Sequence, residues 1–189
     1  MADQVVLSIW LRGFTEHNML GHFEALLEKF PYSRLRPGGV LRIYALEFSE
    51  PALLDRVLDP PVAPEEAVSI AREFQHSDCS YQVDTAWDLW DYAEDWRLAP
   101  VPASLQCYAP LFPSQWGEQL HVDCGPDYLF LPRPPLPWNP TVIGSNIRSL
   151  LHFVEDLRRA LPVEKVSLWS ESGESLAEQL EQALRQKPG

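Results

Sequence analysis

The run Tyr81-Gln82-Val83-Asp84-Thr85-Ala86-Trp87-Asp88-Leu89-Trp90 decides the fold. Val83, Thr85, Trp87 and Leu89 occupy one set of alternate positions, and Asp84, Asp88 and Trp90 the other. A period of two marks a strand with one buried and one wetter face. The i, i+3 spacing of Trp87 and Trp90 admits a helix over 87–96 as the alternative. The strand reading makes the middle of the chain a sheet, to which the flanking segments are added.

Downstream, 105–112 and 119–124 read as strands, and Gly125-Pro126-Asp127 as a turn into a strand at 128–131, giving a meander. Five prolines in 132–140 predict an extended connector. Ser145 then caps a helix carrying Ile147, Leu150, Leu151, Val154, Leu157 and Leu161 on one side. A short strand at 166–169 precedes a last helix with Leu176, Leu180 and Leu184.

Upstream, the chain reads β-α-β. Residues 5–11 are apolar on both faces, as an interior strand requires. Thr15 is the predicted N-cap of a helix bearing Met19, Leu20, Phe23, Leu26, Leu27 and Phe30, which Pro31 ends. Pro37-Gly38-Gly39 turns the chain into a strand at 40–48. Ser49 caps a short helix through Leu53, Leu54, Val57 and Leu58, and Pro64 starts another with Ala67, Ile70, Ala71 and Phe74.

This order predicts an α+β domain over 1–189, a mostly antiparallel sheet with helices packed on one side. A duplicated ferredoxin-like arrangement, with pseudo-repeat halves 1–80 and 81–189, is one topology that satisfies it.

Charge narrows the function classes. The net charge is −12, and residues 81–131 hold one cation, Arg97, against eight carboxylates, together with four of the seven tryptophans. Phosphate backbones need clustered lysine or arginine, so nucleic acid is a poor partner. The run 5–11 is too short to span a bilayer and the N-terminus has no basic signal-peptide region, which predicts a protein without a membrane. Cys79, Cys107 and Cys124 form no CxxC pair, their odd number leaves at least one thiol unbridged within the chain, and a reducing, cytoplasmic setting follows as the expectation.

Asp84, Asp88, Trp90 and Tyr92 share one strand face, and carboxylates beside aromatic rings suit a cationic group. His121 and Asp123 alternate onto one face of their own strand and join this candidate ligand-binding set if the strands are close. The plainer reading leaves Trp87 in the core and the acids solvated. Gly144-Ser145-Asn146 lacks the second glycine of a nucleophile elbow, and His121 and Cys124 point to opposite faces. Arg133-Pro134-Pro135-Leu136-Pro137 has PxxP spacing, which an extended connector also explains. No phosphate loop, dinucleotide fingerprint, EF-hand or metal spacing occurs, so no cofactor and no metal is implied. The expected function is a binding or interaction module taking a basic peptide, a partner protein or a cationic small molecule. The alternative is a metal-dependent hydrolase-like enzyme using Asp84, Asp88, His121 and Asp123.

Overall fold

The computed structural model describes residues 3–132, 136, 137, 139–170, 176, 179 and 180. Among the described residues, seven strands form one sheet: β1 (Gln4–Leu11), β2 (Gly39–Ala45), β3 (Leu54–Leu58), β4 (Cys79–Tyr92), β5 (Trp96–Tyr108), β6 (Leu120–Pro126) and β7 (Val163–Ser170). Their spatial order is β3-β2-β4-β5-β6-β1-β7, and every neighbouring pair is antiparallel. Helices α1 (Met19–Lys29), α2 (Pro64–Arg72) and α3 (Pro140–Ala160) complete an α+β fold. The first half has the element order of a ferredoxin-like unit, yet β1 and β4 are separated by β6 and β5, so the duplicated arrangement is not confirmed.

The period-two reading of β4 holds except at Thr85, which is half-buried and donates its hydroxyl to the Gly38 carbonyl at 2.8 Å, and at its neighbour Ala86, which is buried. Tyr81, Val83, Trp87 and Leu89 are buried, whereas Gln82, Asp84, Asp88, Trp90 and Tyr92 are only partly so. The buried face receives Phe23, Leu26 and Leu27 of α1, Ala67, Val68 and Ala71 of α2, and Ile147, Leu150 and Phe153 of α3 in one apolar cluster. Trp87 lies at its centre, with ring contacts to Phe30 and Phe130 and an Nε1–H donated to the carbonyl of Cys124 at 3.2 Å. Burying these side chains is the main stabilising contribution, at about 25 cal/mol per Å² of apolar surface.

Five local expectations are corrected. Residues 54–58 are strand β3, not helix: Leu53, Leu54, Val57 and Leu58 fit a helical stripe, but the segment instead supplies ladder partners for Gly39–Ile43. There Asp55 lies opposite Arg42 and bonds its Nε at 2.9 Å. Residues 127–129 form a short 3-10 turn rather than a strand. A strand would send Leu129 and Phe130 to opposite faces, whereas the turn buries both. Gly125 permits it, having φ +99° and no room for a Cβ, which would meet Val101 Cγ1 at 2.7 Å.

Helix α3 begins at Pro140, capped by Asn139, whose Oδ1 accepts from Val142 N, so Ser145 is interior. Asn18, not Thr15, precedes α1, and its side chain instead accepts from Thr15 N. Strand β5 starts at Trp96, nine residues before the predicted start at 105, because the β4–β5 hairpin pairs from Ser80↔Tyr108 to Tyr92↔Trp96. Of the predicted last helix, Leu176 and Leu180 are buried in the core and Gln179 is exposed, while Leu184 and the other residues lie outside the described residues, as do Arg133, Pro134 and Pro135 of the PxxP run. No helix among the described residues is long and apolar enough to cross a membrane.

Candidate functional site

The sheet face away from the helices follows from register. Antiparallel pairing places Asp55, Arg42, Gln82, Gln106, His121, Ser8 and Ser167 in one row across the strands. The next row runs Val57, Val40, Asp84, Ser104, Asp123, Val6 and Trp169. Asp84 and Asp123 therefore flank Ser104 on one surface, two strand spacings or about 10 Å apart.

They line a groove of about 590 Å³ with Arg36, Val40, Pro102 and Ser104. Gly39 also lines it; a Cβ there would meet the Asp84 carbonyl at 2.9 Å and Val62 Cγ2 at 3.2 Å, so a larger residue could not sit this close to β4. Asp84 is paired: Arg42 bonds one oxygen and Gln82 Nε2 donates to the other at 2.8 Å. The same guanidinium holds Asp55, and the two carboxylates keep it charged.

His121 lies beside the groove in a carboxylate–imidazole–carboxylate chain. Its Nδ1 is 3.3 Å from Glu118 Oε1 and its Nε2 is 3.3 Å from Asp123 Oδ1. Burial disfavours the imidazolium, but hydrogen bonds and charge from Asp123 and Glu118 more than offset this and push its pKa up to about 9. Glu118 is fully enclosed; burial raises its pKa, while His121 and the Trp116 N–H at 2.9 Å hold the net value below the ordinary carboxylate range. The chain pins the loop 109–119 onto the sheet.

The remaining expected site residues do not converge here. Asp88 accepts from Ser33 Oγ and from Arg34 N at 2.8 Å, so it organises the 33–36 turn. Trp90 and Tyr92 lie roughly 20 and 26 Å along the strand from Asp84. The backbone of Trp90 is tied to α3 through Asn146, and Tyr92 packs on Trp96. No three His, Cys, Asp or Glu side chains gather as a metal-holding group among the described residues.

Sequence reasoning missed Glu118 and Arg42. Glu118 precedes its strand and breaks the alternation that flagged His121 and Asp123. Arg42 lies on the outward parity of β2, opposite to buried Leu41 and Ile43, but its partner depends on register. Comparison with protein-family models, curated proteins and solved structures finds no match.

Proposed function

We propose that this chain is a non-catalytic binding module whose open sheet face receives a positively charged partner. The observation that carries this reading is the groove bordered by Asp84 and Asp123 on a face to which α1, α2 and α3 do not pack. Exposed Leu46, Phe48, Leu53 and Val57 near the β2–β3 edge add apolar contact area, and the net charge of −12 favours approach of a cation. A metal-dependent hydrolase is the weaker reading, because Asp84 is paired with Arg42 and Asp88 is engaged by the 33–36 turn.

The test is calorimetric titration with a lysine- and arginine-rich peptide and with its glutamate counterpart. Binding of the basic peptide should weaken as salt rises and weaken further in Asp123→Asn. Equal binding of both peptides, or an Asp123→Asn protein indistinguishable from wild type, would overturn the assignment.

A further inference from the structure

We propose that the corner formed by Trp10, Trp116 and Trp169 binds a quaternary or methylated ammonium group, with the ammonium of Lys165 as its built-in plug. The pocket measures about 390 Å³ and is lined by these tryptophans, Lys165 and Ser167. It shares no lining residue with the Asp84–Asp123 groove.

Strand geometry supplies most of it. Lys165, Ser167 and Trp169 project at every second residue from one face of β7, and Trp10 of β1 lies directly opposite Lys165. The third wall comes from the loop 109–119, which brings Trp116 to 4.3 Å from Trp169, centroid to centroid, with planes at 82°. Both walls are fixed from behind. Trp169 Nε1–H donates to Ser8 Oγ at 3.3 Å, and the Trp116 N–H is held by buried Glu118. Trp116 itself is 47 % exposed, a large aromatic surface held open at the corner.

The molecule already shows which chemistry the corner accepts. Lys165 Nζ sits 4.4 Å from the centroid of the Trp10 ring, and no carboxylate lines the pocket. The π face thus supplies the attraction within the pocket. A primary ammonium is strongly hydrated and gives up water contacts to lie against a ring. A methylated ammonium has fewer N–H donors, or none, to desolvate and keeps its charge. Lys165 is exposed on a flexible stem, so it can return to water when displaced. The net charge of −12 draws a cation in and opposes the anionic ring compounds that Lys165 would otherwise attract.

The experiment is ligand-observed NMR on the full chain, following the methyl protons of tetramethylammonium, with methyl glucoside and benzoate as neutral and anionic comparators. Tetramethylammonium should bind saturably in the millimolar range. Lys165→Gln should tighten it about two- to fivefold by removing the internal competitor. Trp116→Ala and Trp10→Leu should each abolish it while keeping a cooperative thermal transition. The proposal is overturned if Lys165→Gln weakens binding or leaves it unaltered, if both tryptophan variants still bind, or if benzoate or the glucoside saturates in place of the cation. Loss of basic-peptide binding alone would instead count against the groove.

Discussion

Replacing His121 with glutamine tests the carboxylate–imidazole–carboxylate chain through its pH signature. The folded pKa is raised from 6.5 to about 9, so the folded state holds the imidazolium proton more tightly than the unfolded chain. The associated stabilisation is complete below pH 6.5 and is lost as pH rises through 9. At about 1.4 kcal/mol per pH unit of difference, the contribution at neutral pH is roughly 2–3 kcal/mol. The lower figure is the better guide because Asp123, one of the two partners, is 37 % exposed and partly screened. Urea unfolding at steps between pH 6.5 and 9, followed by tryptophan fluorescence, should show the wild-type midpoint falling steadily. His121→Gln should be less stable at the acid end and nearly flat across the window. The buried thiols and phenols add their own losses above their ordinary values of 9.0 and 10.0, beyond the window that isolates His121. A wild-type midpoint independent of pH, or a His121→Gln protein with the wild-type slope, would refute the ionic latch.

Three further outcomes follow from the core and the 33–36 turn. Trp87→Ala removes a side chain that is 1 % exposed, and should cost about 3–5 kcal/mol in urea unfolding. Asp88→Ala strips the acceptor from Ser33 and Arg34 and should cost about 1–3 kcal/mol in the same assay. Cys79, Cys107 and Cys124 are free and buried, and burial pushes the Cys79 thiol up to about 11. A thiol reagent should therefore modify none of them in the native protein and all of them in denaturant.

What was legible in the sequence was local. Alternation in β4 separated Trp87 from Asp84 and Asp88, because a strand's two faces depend only on parity. Helical spacing found α1 and α2, whose apolar stripes are continuous. Residues 54–58 defeated the same reasoning: a short run containing Leu54, Val57 and Leu58 satisfies both periods, and the exposed ladder of β2 decides between them. At 129–131 three consecutive apolar residues needed one buried side, which a turn gives and a strand does not.

The candidate site was half legible for a related reason. Parity put Asp84 on the outer face of β4 and His121 with Asp123 on the outer face of β6, but only the strand order sets β5 between them and brings Arg42 against Asp84. An acidic stretch therefore does not act as one acidic surface. Asp84 meets Arg42, Asp88 meets the 33–36 turn, and Glu118 meets His121. Glu94 and Asp95, beyond the end of β4, remain exposed at the hairpin tip. On the proposed function, long-range attraction for a cation and short-range contact with it would be served by different places. The exposed acids and net charge would govern encounter rate and its salt dependence, while groove contacts would govern how long a partner stays. On this division, neutralising Glu94 and Asp95 should slow association with little change in dissociation, and Asp123→Asn should act chiefly on dissociation.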